Sequence, residues 1–148
     1  MSHPTAVNRR ATFDYEITET IEAGVVLVGP EVKSIRQGKV RIAESHAQII
    51  DGEMWLLNAY IEPYLATAHV VMDPRRNRKL LVSRAQLNRW MGRVKEKGFT
   101  IVPMSLYFSH HRVKLKLGLA KSKKLYDKRA AIKDREVKRE LDRARKSS

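Results

Sequence analysis

The residue types that most often hold metals or act as nucleophiles are either missing from this sequence or poorly spaced. There is no cysteine, and none of the histidines has the spacing of metal ligands. The five histidines are His3, His46, His69, His110 and His111. Because His110 and His111 are adjacent, at the tip of a predicted hairpin, their side chains should point apart. The sequence therefore predicts no metal site.

Two other arrangements that can carry catalysis are also weak. The dipeptide Gly38-Lys39 is not a phosphate loop, because Lys33 stands where the motif needs glycine and Val40 where it needs Ser or Thr. Carboxylates such as Glu19, Glu22 and Glu31 can in principle work as a pair, but acidic residues on solvated strand ends are far commoner. We therefore predict a protein that is not an enzyme and needs no cofactor.

Charge is the most informative feature of the composition. The 148 residues contain 30 Lys and Arg against 16 Asp and Glu, which gives a net charge of +14. So large an excess predicts a polyanionic partner, either nucleic acid or an anionic membrane. Four basic clusters favour a phosphate-binding surface: Asn8-Arg9-Arg10, Lys33 with Arg36, Arg75-Arg76-Asn77-Arg78-Lys79, and Lys121 with Lys123-Lys124.

Other residues near these clusters can add selectivity to phosphate binding. Exposed aromatic rings can stack on unpaired bases, and the candidates are Tyr15, Tyr60, Tyr64 and Tyr126. Glu22 is a surface acid that would repel phosphates. On an RNA-binding face it can instead accept hydrogen bonds from base amino groups or a 2′-hydroxyl.

The sequence gives no sign of membrane insertion or export. No apolar run approaches the roughly 18 residues of a spanning helix, and the N-terminal residues include no apolar signal region. With no cysteine to form disulfides, a cytoplasmic location and no membrane partner are the default expectations.

Hydrophobic patterning predicts mostly strands. Apolar and polar residues alternate from Phe13 to Thr18, and again from Val113 to Leu119 after an apolar strand over 99–108. A second strand is predicted at 25–28, and Asp51-Gly52 indicates a hairpin within 46–57. Tyr60 and Ile61 add another short strand.

Two helices are predicted between these strands. A short one covers 31–37 and is closed by Gly38. The clearer one begins after Ser83, an N-cap with Gln86 three residues later, and has Gly98 where a C-terminal cap belongs. The fold class predicted is mainly β with short helices, as a small OB-fold-like barrel.

The predicted domain organisation has three parts: a flexible basic arm at 1–12, the barrel at 13–120 and a basic tail at 121–148. Residues 120–148 hold 12 Lys and Arg against five Asp and Glu. The tail has too few aliphatic residues to pack on the barrel, but it contains no Gly or Pro and is rich in helix-forming residues. We expect it to be disordered when free and helical when bound to a polyanion.

Seven segments, in order, resemble the SsrA-binding protein family, also called small protein B, from about residue 8 to about residue 146. They are Asn8-Arg9-Arg10-Ala11, Glu22-Ala23-Gly24, Glu31-Val32-Lys33-Ser34, Arg78-Lys79-Leu80-Leu81, Val102-Pro103, Leu106-Tyr107 and Lys123-Lys124-Leu125-Tyr126-Asp127-Lys128-Arg129. The resemblance implies a barrel that binds the tRNA-like domain of transfer-messenger RNA. It also implies delivery of that RNA, with elongation factor Tu, to a stalled ribosome for trans-translation.

The resemblance also implies site residues. The RNA contacts would be Asn8, Arg10, Glu22, Lys33, His46, Leu81, Lys123 and Lys124. A tail segment would enter the messenger channel of the small subunit and engage the decoding centre, namely Tyr126, Asp127, Lys128 and Arg129. The sequence departs from the family pattern at His46, Tyr60 and Ser122. Composition alone equally favours an alternative, a generic OB-fold protein that binds single-stranded nucleic acid.

Overall fold

The computed structural model describes residues 4–64, 72–96 and 98–123, and shows nine strands and three helices in them. The strands are β1 Ala6–Val7, β2 Tyr15–Val25, β3 Val40–Arg41, β4 His46–Ile50, β5 Glu53–Leu57, β6 Tyr60–Ile61, β7 Arg78–Leu81, β8 Phe99–Ser109 and β9 Arg112–Ser122. The helices are α1 Ala11–Asp14, α2 Gly29–Arg36 and α3 Arg84–Lys95.

Six of the strands close into an antiparallel barrel. Their order is β8-β4-β5-β7-β2-β9, and β9 pairs back with β8 to complete the ring. Strand β1 adds to the outer edge of β8, while β3 and β6 form a separate two-stranded sheet. Closure leaves the barrel strands without free edges. The predicted fold class, a mainly β barrel with short helices, is confirmed.

The three longest strands form one wall of the barrel. Strand β9 lies between the other two, opposite β2 from Tyr15↔Ser122 to Gly24↔Lys114 and opposite β8 from Phe99↔Lys121 to Ser109↔Arg112. The β8–β9 turn is made by His110 and His111, whose φ angles of 50° and 66° lie in the left-handed region. This wall therefore has a hairpin end near His111 and an α1 end near Tyr15.

The core is filled from inside the barrel and from the helices that cover it. Leu115, Leu117 and Leu119 of β9 are at most 1% exposed, as the predicted alternation requires. Trp90 of α3 and Ile35 of α2 are fully buried in the same cluster. Lys114 and Lys116, which alternate with these leucines, lie on the outer face. The helices thus seal the barrel, while one face of the long wall remains available for binding.

A second cluster lies beside the α1 end, where Ala11, Val102 and Ala120 are buried. Ile17 and Met104 pack against it, and both approach Gly118 of β9. A Cβ added at Gly118 would lie 2.9 Å from Met104 Sδ and 3.2 Å from Ile17 Cδ1. Glycine is therefore required here by close packing.

The local signals of the turn and the long helix are confirmed. Asp51 and Gly52 have φ angles of 51° and 74°, as a two-residue hairpin between β4 and β5 requires. The Ser83 hydroxyl accepts a hydrogen bond from the Gln86 N–H at 3.2 Å and so caps α3. The helix ends at Lys95, however, before the predicted glycine cap at 98, because Glu96 is already extended.

The predicted division between arm and barrel differs from the structure. Of the proposed arm, Ala6–Val7 pairs with Leu106 and Ser105, and Asn8 is buried. At the other boundary, β9 continues to Ser122. A two-residue strand is too short to show a periodic pattern, so no sequence pattern predicted it. Most of the predicted tail, 124–148, lies outside the described residues.

Two strand predictions were also wrong in detail. Of the strand predicted at 25–28, only Val25 is in a strand. That strand is β2, which also includes residues 15–18 of the strand predicted at 13–18 and is preceded by the single turn of α1. Its register shift between Ile17 and Glu19 breaks the alternation that the sequence pattern would need. Strand β7 was missed, because its four residues begin with Arg78-Lys79 and resemble a basic surface cluster. In the described part of the chain, no helix has the length and hydropathy of a membrane span.

Candidate nucleic-acid interface

The basic cluster over 75–79 is not the open phosphate-binding surface that the sequence predicts. The side chain of Arg78 is 1% exposed and that of Glu31 is 6% exposed, and they form an ion pair inside the protein. Arg78 Nε donates to Glu31 Oε2 at 2.8 Å, while its Nη1 and Nη2 donate to the carbonyls of Ala59 and Pro74. The alternation of β7 turns Arg78 inward, toward the carboxylate that α2 supplies.

Glu31 is consequently a structural residue and not a solvated acid. Arg76 donates to both of its carboxylate oxygens, and the Val28 N–H donates to Oε1 at 3.1 Å. Burial raises the pKa of this carboxyl, but the hydrogen bonds from Arg76, Val28 and Arg78 outweigh burial and hold the pKa below its usual value. The prediction of a catalytic or surface role for Glu31 has no support in this geometry.

Tyr60 is also engaged within the protein. The guanidinium carbons of Arg41 and Arg75 lie 4.6 and 5.4 Å from the centre of its ring. Arg75 also donates to the backbone and side-chain oxygens of Asn58. These cation–π contacts stabilise the loops around β3 and β6. The Tyr60 ring, which was predicted as a candidate for stacking on a base, is therefore already in contact with two arginine side chains.

The first of two candidate RNA sites is a groove at the α1 end, which we call the α1 groove. It has a volume of about 620 Å³ and brings together Asn8, Arg10 and His46, three of the predicted contacts. Arg10 and His46 are exposed and can reach a ligand. The full lining is Asn8, Arg10, Ala11, Asp14, Tyr15, Ala43, Glu44, Ser45, His46, Thr100, Ile101 and Val102.

Asn8 contributes to the α1 groove mainly as a structural residue. It is 7% exposed, and its Nδ2 donates to the Pro103 carbonyl at 3.0 Å while its N–H donates to the Met104 carbonyl at 2.8 Å. Its Oδ1 is buried and has no hydrogen-bond partner among the described residues. Asn8 thus fixes the chain that carries Arg10 onto β8.

Lys123 is hydrogen-bonded to the α1 segment beside the same groove. Its Nζ donates to the Thr12 carbonyl and its backbone N–H to the Asp14 carbonyl, both at 3.0 Å. These bonds join the end of β9 to α1, immediately after the pairing of Ser122 with Tyr15. Lys123, the last described residue, therefore lies at the α1 end, against the helix that lines this groove.

The second candidate site lies at the hairpin end. Here Leu81 is 55% exposed and pairs with Gly24, two residues along β2 from Glu22. On the neighbouring strand, Lys116 is directly opposite Glu22 and Lys114 is opposite Gly24. The structure therefore brings Glu22 and Leu81 together, and it adds two lysines that the resemblance did not nominate.

Glu22 is held in place by a tyrosine from two strands away. The Tyr107 hydroxyl donates a hydrogen bond to Glu22 Oε2 across β9. Tyr107 is opposite Lys114, so its ring crosses β9 between Lys114 and Lys116. Burial, and then the hydrogen bond to Glu22, raise the pKa of Tyr107 to about 12. The phenol thus remains a donor at neutral pH, and Glu22 keeps an exposed carboxylate that can accept from RNA.

The two sites are separate and lie at opposite ends of β8. Thr100 lines the α1 groove, and Tyr107 is seven residues further along the strand, or roughly 20 Å at about 3.3 Å per residue. A single base cannot touch both sites, but an RNA helix lying along the wall can. Among the predicted contacts, Arg10 and His46 therefore lie at one end of β8, and Glu22 and Leu81 lie near the other.

The remaining predicted residues lie outside both candidate sites or outside the described part of the chain. Lys33 is exposed on α2, with its Nζ 5.3 Å from the centre of the Tyr64 ring. Lys124, Tyr126, Asp127, Lys128 and Arg129 lie outside the described residues. Within 4–64, 72–96 and 98–123, no group of three or more His, Asp or Glu side chains could hold a metal ion.

Comparison with known proteins matches this chain to one family over almost its whole length. The sequence matches the family described as SmpB protein across residues 5–147. The chain belongs to the SmpB family. It is 50% identical over 140 residues to the SsrA-binding protein of Thermosynechococcus vestitus, covering 94% of this chain and 92% of that one. It is 51% identical over 142 residues to the SsrA-binding protein of Symbiobacterium thermophilum, covering 95% and 90%.

A solved SmpB-type structure agrees with the fold. A chain described under "tmRNA-SmpB: a journey to the center of the bacterial ribosome" superimposes with a TM-score of 0.66 and 50% sequence identity. The match covers 80% of this chain and 84% of that chain. SmpB membership, which the sequence motifs indicated, is therefore confirmed by sequence and by structure.

Proposed function

We propose that this SmpB-family protein binds the tRNA-like domain of transfer-messenger RNA and delivers it to stalled ribosomes for trans-translation. The observation that carries the proposal is the outer face of the barrel at the hairpin end, where β7, β2 and β9 lie side by side. It combines a fixed carboxylate, Glu22, with two lysines and the exposed Leu81. Lysines bind phosphate, whereas a carboxylate accepts hydrogen bonds from base amino groups and 2′-hydroxyls.

The proposed contacts fall into two sets that follow the two ends of the wall. Glu22 and Leu81 act at the hairpin end, and Arg10, His46 and Lys123 act around the α1 groove. Asn8 acts by holding Arg10 in position. Their separation of roughly 20 Å, at about 3.3 Å per residue of β8, is more than one nucleotide can bridge, so the two sets would contact different parts of a folded RNA.

The tail is proposed to act on the ribosome. Lys123 fixes the point where it leaves the barrel. Tyr126, Asp127, Lys128 and Arg129 would engage the decoding centre, with the following residues in the messenger channel, while Lys124 would contact the transfer-messenger RNA. Elongation factor Tu would be a partner through the shared RNA. The protein itself would perform no catalysis in this scheme and would act in the cytoplasm, where ribosomes translate.

Competitive binding tests the RNA proposal. The full-length protein is titrated into labelled tRNA-like domain with an excess of unstructured RNA of equal length. Binding that resists the competitor is the expected result. Equal competition by unstructured RNA would overturn the proposal and favour a generic single-stranded RNA-binding protein.

A truncation tests the role of the tail. Removing residues 124–148 keeps Lys123 and its hydrogen bonds to α1, so the barrel should fold and bind the tRNA-like domain. Tagging of nascent chains in a reconstituted translation system should be lost. The control keeps the tail and replaces the exposed Lys95, at the end of α3, with Ala; it should still support tagging. Tagging by the truncated protein would contradict the messenger-channel role.

A further inference from the structure

An apolar cleft at the hairpin end adjoins the carboxylate site and shares Leu81 and Lys114 with it. We call it the hairpin cleft. It has a volume of about 290 Å³ and is lined by Gly24, Val25, Leu27, Val32, Leu81, His111, Arg112, Val113 and Lys114. Five of these nine residues are aliphatic. Just outside it, Val26 and Val28 are 45% and 39% exposed. So much exposed apolar surface in one place is typical of a binding site.

The charges around the hairpin cleft indicate the chemistry of its occupant. Arg112 and Lys114 lie at the rim, and none of the nine lining residues is acidic. Tyr107 lies opposite Lys114 on the neighbouring strand β8, and its hydroxyl is already hydrogen-bonded to Glu22. An apolar floor with a cationic rim fits a ligand that has a flat apolar part attached to phosphate. A nucleotide has this composition, and in a folded RNA only an unpaired one can leave its base free to enter a cleft.

The turn between β8 and β9 supplies a ring for such a base to stack on. His110 and His111 are both exposed and both have left-handed φ angles, 50° and 66°. Only His111 lines the cleft. Imidazole rings are among the platforms on which proteins stack unpaired RNA bases. The two adjacent histidines are therefore alike in backbone and exposure, but only one is positioned to meet a base.

We propose that the hairpin cleft binds an unpaired nucleotide of the RNA. The base lies between Leu81 and the His111 ring, and the flanking phosphates contact Arg112 and Lys114. This inference rests on the proposed RNA-binding function and adds a site for one unpaired nucleotide next to Glu22. It assigns RNA contacts to His111 and Arg112, which the family motifs do not include. It also assigns to Lys114, already part of the carboxylate site, the phosphate that flanks this nucleotide.

The test uses the two neighbouring histidines as a matched pair in the full-length protein. Asparagine tolerates left-handed backbone, so His111→Asn and His110→Asn should both preserve the turn. Loss of a stacking contact should weaken binding of the tRNA-like domain roughly 5- to 100-fold in His111→Asn. Binding by His110→Asn should stay within about twofold of wild type, since its ring does not line the cleft.

Chemical probing of the RNA gives a second readout that a folding defect would not imitate. The wild-type protein and His110→Asn should protect one or a few unpaired nucleotides. His111→Asn should lose that protection while the rest of the footprint stays unchanged. Unchanged affinity and footprint in His111→Asn would overturn the proposal, and so would equal losses in the two variants. Failure of the proposed function is distinguishable, because it would show in the wild-type protein as loss of preference for the tRNA-like domain.

Discussion

The hydroxyl of Tyr107 donates a hydrogen bond to the carboxylate of Glu22 across an intervening strand. The residues are 85 positions apart in sequence, and β9 lies between their strands. The contact orients a surface acid that would otherwise sample several rotamers among lysines. Pre-orientation matters for binding, because a side chain that is already fixed loses less entropy when it meets the ligand.

Removing only the Tyr107 hydroxyl should weaken RNA binding through Glu22. We expect Tyr107→Phe to reduce affinity for the tRNA-like domain by about 1 kcal/mol, roughly fivefold, because the carboxylate is no longer oriented. A double-mutant cycle with Glu22→Gln checks the mechanism. Tyr107→Phe should have little further effect in the Glu22→Gln background, and Tyr60→Phe serves as the control. Additive losses would mean that Tyr107 contacts RNA independently.

The raised pKa of Tyr107 predicts a pH effect at the alkaline end. An acid whose pKa is higher in the folded state favours the fold while it is protonated. Its contribution is fully present below the unfolded value of about 10 and is lost as pH rises through about 12. Ultraviolet titration should show one tyrosine ionising near pH 12 that Tyr107→Phe lacks. The same transition in Tyr107→Phe would assign it to another tyrosine.

The buried ion pair predicts a stability effect rather than an RNA-binding effect. Arg78→Met should destabilise the fold by about 3 kcal/mol, because Glu31 loses a buried partner and retains only Arg76 and the Val28 N–H. Denaturant unfolding measures the change. The exposed Lys79→Met provides the control, with a loss below about 1 kcal/mol. Equal losses of unfolding free energy in the two variants would show that Glu31 does not need Arg78 as a partner.

The lowered pKa of Glu31 predicts how the free energy of unfolding falls in acid. Its pKa is lowered in the folded state, so its contribution is present above the usual value of 4.5 and is lost as pH falls through the lower folded pKa. Glu31→Gln removes this titration, so its stability should fall less steeply below pH 4.5 than that of the wild type. Unfolding free energies at several acidic pH values test this. Parallel curves would mean that other carboxylates dominate.

Two glycines offer a paired test of packing. Gly118→Ala should destabilise the barrel by about 1–2 kcal/mol, because the new methyl group would crowd Met104 and Ile17. Gly92→Ala should instead stabilise by about 0.5–1 kcal/mol, since it lies on helix α3 with no atom within 4 Å of the added Cβ. Unfolding curves of both variants should move in opposite directions. A neutral Gly118→Ala would show that Met104 moves aside.

Local signals in the sequence predicted the elements well where they were strong. The Asp51-Gly52 turn and the Ser83 cap were found because each depends on a few neighbouring residues. The leucine–lysine alternation correctly predicted the inward leucines and the outward Lys116 of β9, but Gly118 and Ala120, which continue the lysine face, are buried. Strand β7 was missed, since Arg78-Lys79 has the composition of a surface cluster and only a distant carboxylate makes Arg78 a core residue.

At the candidate site, too, some features could be predicted from the sequence and others depended on contacts between distant residues. Sequence alone determined that the partner is a polyanion, because net charge needs no coordinates, and the ordered motifs determined the family. Only the tertiary structure decided that Arg78 is internal and that Tyr107 holds Glu22. It also decided that Arg10 and His46 lie near one end of β8, and Glu22 and Leu81 near the other. These are contacts between residues far apart in sequence, fixed by barrel closure and strand register. Local composition carries no record of either.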